Sequence, residues 1–232
     1  MLLDNPVIEV MSSYPPNSTS GQLIILQDRG LRYYDEGRWK SGHNDFDFAA
    51  LIQLAGTSFD YQPEHKVTVR SLMMANISGA DCEVTVKRNG VFLLYKAFVL
   101  ADQTVVLDIA VPLSENDHLV FESTGEVACS VIGSDADDYE VIAVGSNVNV
   151  VSTYTSVITA MVLCNRGETD TTATVKFCFN GQDSEAAIFL KDLPIAVGES
   201  VFGDIKHVLP ADGRLIVEGV NVDVLFSGGV YG

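Results

Sequence analysis

Apolar and polar residues alternate with a period of two along much of this chain. Glu83-Val84-Thr85-Val86-Lys87 and Thr172-Ala173-Thr174-Val175-Lys176 each present one face to a core and one to water. Asn89-Gly90 and Asn180-Gly181 follow these runs, and Asn-Gly between apolar runs is a strong hairpin signal because both residues tolerate positive φ. No helical period is legible over either stretch. Turn signals every 8–12 residues or so separate the short strands, which is the pattern of a sandwich of two packed antiparallel sheets.

The two stretches belong to a longer echo. Val67 to Asn76 and Val157 to Asn165 are apolar strands that both end on Asn. Leu100-Ala101-Asp102-Gln103-Thr104-Val105 resembles Ile195-Ala196-Val197-Gly198-Glu199-Ser200-Val201, and Leu113 to Glu122 resembles Leu209 to Glu218. Each copy closes on another apolar strand, Val127 to Ile132 and Val222 to Phe226. A repeated spacing of turns and strands marks repeated architecture. The expected fold is therefore all-β: two tandem antiparallel β-sandwiches, jelly-roll or immunoglobulin-like, preceded by an N-terminal arm and a β-hairpin.

The expected boundaries are 1–43 for the arm and hairpin, 44–64 for a connector, 65–134 for the first sandwich, 135–151 for an acidic linker with short strands, and 152–232 for the second sandwich. Residues 12–21 are polar with a Pro pair and read as extended or loop. Leu23 to Gln27, Leu31 to Asp35 and Trp39 form a hairpin or three-strand meander with an aromatic cluster of Tyr33, Tyr34 and Trp39. Such a piece is marginal alone in water and must pack on something. Its aromatics are either a small local core or interface anchors. Tyr139 to Val151 offers two short strands that either begin the second sandwich or form a linking hairpin.

Composition narrows the partners. Acidic residues outnumber basic ones 31 to 14, for a formal net charge of −17, which argues against nucleic acid and anionic membranes. Met1-Leu2-Leu3-Asp4 lacks the basic start and apolar run of a secretion signal. Cys82, Cys129, Cys164 and Cys178 form no Cys-x-x-Cys pair and read as reduced core thiols.

Catalytic patterns are not legible. His43, His65, His118 and His207 lie far apart in sequence, and there is no Gly-x-Ser-x-Gly elbow, phosphate loop or dinucleotide fingerprint. The acidic run Ser134-Asp135-Ala136-Asp137-Asp138 lacks the Gly and distal Glu of a calcium loop and reads as a solvated linker. No enzyme activity, cofactor or metal is expected.

The unit from Val67 through Asn76, Ser78-Gly79, Val84-Thr85-Val86, Leu100-Ala101, Leu113, Asp117 and Leu119 resembles small β-sandwich modules of tailed-bacteriophage virion proteins. Gly21-Gln22-Leu23, Gly30-Leu31, Tyr33-Tyr34 and Gly37 with Trp39-Lys40 look like the hairpin modules of phage tail-fibre and neck proteins. The resemblance implies a structural component without catalysis: a head decoration, a neck or collar protein, or a tail-anchored fibre. It implies a homo-oligomer in the virion, assembled in the host cytoplasm, whose partners are portal, adaptor, tail or capsid subunits. Attachment would fall to Leu23, Ile25, Tyr33, Tyr34 and Trp39. The alternative is a carbohydrate-binding β-sandwich module, in which exposed aromatics stack on sugar rings.

Overall fold

The computed structural model describes residues 9–11, 23–26, 30–35, 38–41, 49–135, 139–179, 182–184 and 187–231, with side chains from residue 54 onward except at Asp135. Every long element is a strand. A first sheet of four strands runs in the order β1 (Glu9–Met11), β2 (Leu23–Leu26), β3 (Gly30–Asp35), β4 (Arg38–Ser41). The meander expected over these residues is present in β2, β3 and β4, and β1 joins it in parallel.

The first sandwich contains β5 (Ala49–Tyr61), β6 (Val67–Asn76), β7 (Cys82–Arg88), β8 (Val91–Val99), β9 (Thr104–Leu113) and β10 (Leu119–Asp135). The second contains β11 (Tyr139–Ser146), β12 (Asn149–Val151), β13 (Thr155–Asn165), β14 (Thr171–Cys178), β15 (Ile188–Ile195), β16 (Ser200–Leu209), β17 (Arg214–Gly219) and β18 (Val222–Tyr231). Its sheets run β11-β18-β13-β16 and β12-β17-β14-β15, the order of a jelly roll of two Greek keys.

The first sandwich has the same order with two strand pairs fused. Leu119 to Ser123 of β10 pairs with β7, while Val127 to Asp135 pairs with β6. β5 follows β10 through both sheets, with a register shift opposite Glu122 to Val127. The bend in β10 falls around Gly125. A Cβ there would lie 2.7 Å from Ser78 Oγ and 3.0 Å from Cys82 Cβ, so the crossing strand needs a glycine. β5 and β10 thus do in one strand each what β11 with β12 and β17 with β18 do in two.

The boundaries move accordingly. The connector expected over 44–64 holds β5, because Ala49 to Tyr61 pairs along nearly the whole of β10. The linker expected over 135–151 holds β11 and β12, which pair with β18 and β17 as the opening strands of the second jelly roll. A short apolar run gives no hint of its sheet partner, so local pattern leaves β5 in the connector. It leaves β11 and β12 open between a linking hairpin and the start of the second sandwich, and the pairing shows the latter.

Turn chemistry repeats in detail. Asn89 and Gly90 both have positive φ, 49° and 84°, as a tight primed turn requires. Asn180-Gly181 lies outside the described residues. Lys96 and Asp192, both with φ of 49°, sit at matching bulges. The Lys96 N–H donates to Thr85 Oγ1 at 3.1 Å, and the Asp192 N–H donates to Thr174 Oγ1 at 3.2 Å. Asp81 accepts from the Ala101 N–H at 2.9 Å, and Asp170 accepts from the Val197 N–H at 3.0 Å. The structure thus gives the sequence echo one topology and one set of turn bonds.

Each sandwich has an apolar interior. Val69, Leu72, Met74, Val86, Leu113 and Leu119 form the first core, and Ile158, Leu163, Phe177, Leu209, Leu215 and Phe226 the second. The first core also contains Val162 and Leu225, which belong to the second sandwich.

Candidate interaction surfaces

The residues expected to carry attachment lie on neighbouring strands of the first sheet: Leu23 and Ile25 on β2, Tyr33 and Tyr34 on β3, Trp39 on β4. The register sets Leu23 opposite Tyr33 and Tyr34 opposite Trp39. Their side chains lie outside the described residues.

The best-built polar and apolar surface is the seam between the sandwiches. In β13 and β18 alternate residues face alternate cores. Met161, Leu163, Val224 and Phe226 point into the second core. Val162 and Leu225, only 2% and 0% exposed, point into the first, with Phe202 of β16 packed beside them. They close the open edge of the first sandwich between β8 and β9, where Ala97, Val105, Leu107 and Ile109 are half-buried. Burying a Val or Leu side chain stabilises by about 1.5–3 kcal/mol, so this apolar plug dominates the joint.

Polar groups fix its register. Asp223 is buried and accepts from the Phe92 N–H at 3.0 Å, across the seam. Arg166 Nε lies 3.0 Å from the same carboxylate, and the Ser146 hydroxyl also donates to it. The buried Ser227 hydroxyl donates to the Ala110 carbonyl of the first sandwich. At the rim, Glu168 receives Tyr95 Oη at 3.0 Å and Lys96 Nζ at 2.9 Å. These hydrogen bonds hold the Lys96 ammonium above, and the Glu168 carboxyl below, their usual pKa ranges. Lys66 reaches Glu140 at 2.6 Å, and the Arg70 guanidinium lies 4.1 Å from the centre of the Tyr139 ring. Exposed pairs of this kind contribute little to stability and mainly set geometry.

The described residues also form clefts and grooves. A cleft of about 280 Å³ opens at the seam beside Arg70, Asp108, Tyr139, Thr159 and Asp204. An apolar groove of about 480 Å³ lies between Leu94, Ala97, Phe98 and Val105 on one side and Val197 and Phe202 on the other. A polar groove of about 540 Å³ crosses the outer face of β14 and β17, lined by Arg166, Thr172, Thr174, Asp192, Glu218 and Asn221. It offers hydrogen-bond donors and acceptors and no aromatic platform.

Among the described residues no group of three or more His, Cys, Asp or Glu is placed to hold a metal ion. Residues 136–138 of the acidic run lie outside the described residues. The four cysteines are buried free thiols. Burial pushes the Cys129 thiol up to about 12 and Cys164 up to about 11, which suits inert core packing. His118 Nδ1 lies 2.9 Å from Asp60 as a surface pair.

Strand periodicity missed Val162, Phe202 and Leu225. The available signal was the unbroken run Met161-Val162-Leu163-Cys164, since a strand buried on both faces is apolar at consecutive positions.

Comparison with known proteins adds little. No family model matches the chain. No curated protein matches it either. Among solved structures it is similar to the N-terminal CBM22-1-CBM22-2 tandem domain of Xyn10C from Paenibacillus barcinonensis, at 14% identity and a TM-score of 0.23, over 79% of this chain and 89% of that one. An overlap that loose carries neither a fold detail nor a binding property across.

Proposed function

We propose that this chain is a non-enzymatic structural subunit of a phage particle, attached through its N-terminal sheet and displaying two β-sandwiches. The observation that carries this reading is the seam: Val162 and Leu225 of one jelly roll complete the core of the other. Domains that move independently meet through smaller, more polar contacts. A shared core makes a stiff two-sandwich body, as a collar, decoration or short fibre needs. The separate sheet of β1 to β4 precedes that body and gives it an attachment point. Leu23, Ile25, Tyr33, Tyr34 and Trp39 are the proposed contacts with capsid, portal, adaptor or tail subunits.

The test is incorporation. The full chain should co-sediment with virions in a density gradient, and a form lacking residues 1–43 should remain folded but leave the particle fraction. A full chain absent from virions, or a truncated form that incorporates normally, contradicts the reading.

A carbohydrate-binding role is the second reading, and the groove along Thr172, Thr174 and Glu218 is what favours it. Binding on a glycan array that is lost in Glu218→Ala would promote it. An array without binding would retire it.

A further inference from the structure

We propose that copies of this chain stack end to end by repeating, between chains, the apolar part of the joint that fuses the two sandwiches within one chain. The partner is a second copy, and the interface is heterologous: one face of the first sandwich against one edge of the second. The proposal goes beyond the particle reading and stands without it.

The intrachain joint defines both surfaces. Its plug is the cross-strand row Phe202, Val162, Leu225 on adjacent strands β16, β13 and β18. Its receptor is the β8–β9 edge, where the Phe92 N–H and the Ala110 carbonyl meet Asp223 and Ser227. The register of the first sandwich places Val106, Met73 and Ser130 in the corresponding row on β9, β6 and β10. Met73 is 37% and Val106 54% exposed, so this second plug has no cover among the described residues.

The second sandwich carries the corresponding receptor at its β15–β16 edge. Ile188 stands at the position of Phe92, each being paired with the matching lysine, Lys176 or Lys87. Beside it lies an aromatic cluster. His207 stacks on Phe177 with centroids 4.0 Å apart, and the rings of Phe179 and Phe189 lie 5.4 and 5.8 Å from His207. Phe179 is 59% and Phe189 42% exposed.

Both surfaces differ in shape from those of the intrachain joint. Register matching sets Phe226 where the first sandwich has Val131, and His207 where it has Val111. The second receptor is thus bulkier at these two positions and emptier at Gly203, which stands where the first has Leu107. The second plug is smaller at its two flanks, with Val106 for Phe202 and Ser130 for Leu225, and longer at its centre, with Met73 for Val162. A heterologous contact of this kind closes into a ring or continues as a filament. The net charge of −17 opposes it, so association should strengthen as salt screens the repulsion.

The experiment is sedimentation velocity on the full chain over a concentration series at low and high NaCl. Wild type should exceed the 25.1 kDa of one chain, more so at high salt. Val106→Asp removes only the plug, and Phe179→Asp only the receptor. Both sites are exposed, so each variant should keep the wild-type circular dichroism, and each alone should sediment as one chain. Mixed together they should form a 1:1 dimer and nothing larger, because one intact plug meets one intact receptor. A wild type that stays at one chain in high salt overturns the proposal. So does an assembly of unchanged mass in either variant, or a mixture without the dimer.

Discussion

Asn76 and Asn165 make the same hydrogen bonds in the two jelly rolls. Asn76 Nδ2 donates to the carbonyls of Ala80 at 2.8 Å, Val99 at 3.0 Å and Leu100 at 3.1 Å. Asn165 Nδ2 donates to those of Thr169 at 2.9 Å, Ile195 at 3.1 Å and Ala196 at 3.2 Å. Each Oδ1 accepts the N–H two residues on, from Ser78 at 3.0 Å and Gly167 at 2.8 Å. One buried amide thus ties the end of a strand to its own turn and to the hairpin across the sandwich.

Removing that amide takes a donor from three carbonyls in each sandwich and an acceptor from the turn N–H. A hydrogen bond contributes about 0.5–1.5 kcal/mol net, and an unsatisfied buried partner costs about 1–3 kcal/mol. Asn76→Ala and Asn165→Ala should each lower stability by about 2–4 kcal/mol in urea denaturation. Asp at either site should cost more, since it offers only acceptors to those carbonyls. A loss below about 0.5 kcal/mol for both alanine variants would contradict the role given to the amide.

The seam predicts an effect at a distance in sequence. Leu225→Ala removes a side chain of the second sandwich from the core of the first, at a cost of about 2–5 kcal/mol. Hydrogen exchange should quicken in β6, β8 and β9 as well as in β18. Exchange changes confined to residues after 139 would show that the first sandwich does not depend on the plug.

Asp117 gives an acid-side prediction. Burial works against its charge, but the Ser114 N–H, the Asn89 amide and Arg88 together hold its carboxyl below the usual value. Arg88 is buried, with Nη2 2.7 Å from Asp117 and Nε donating to the Pro112 carbonyl at 3.1 Å. A carboxyl with a lowered folded pKa contributes stability that is present above its unfolded pKa and lost as pH falls through the folded one. Asp117→Ala should cost about 3–5 kcal/mol near neutral pH, because it strands a buried guanidinium. The gap to wild type should shrink in acid, as followed by thermal melts across pH. A constant gap would contradict the assignment.

His207 has the same sign for a different reason. Burial lowers its pKa, and its Nε2 is buried without a hydrogen-bond partner. The folded protein therefore binds this proton less readily than the unfolded chain. Stability is full above the usual histidine pKa and declines as pH falls through it towards the folded value. His207→Phe, which keeps a ring on Phe177, should flatten the Tm–pH curve in that window. An unchanged slope would show that the ring is not the group responsible.

Much of this architecture was legible because turns are encoded locally. Asn89-Gly90, the strand-ending Asn76 and Asn165, and the alternating runs before them specify hairpins and faces without tertiary information. The partner of β5 was not legible. Ala49 to Gly56 is a short apolar run that suits a helical turn or a strand until β10 lies beside it. The seam was hidden for a related reason. Period-two alternation says that Val162 and Leu225 leave their own core, but not that another core receives them. The residues proposed for attachment on β2, β3 and β4 remain positions in a register, with Trp39 opposite Tyr34.

The central claim is that the two jelly rolls fold as one body through a shared core. Scanning calorimetry of the full chain, beside Leu225→Asp, tests it most directly. The account predicts that both sandwiches melt in one transition whose calorimetric and van't Hoff enthalpies agree, and that Leu225→Asp splits it or moves it down as a whole. Two resolved wild-type transitions, of which Leu225→Asp shifts only one, would contradict it.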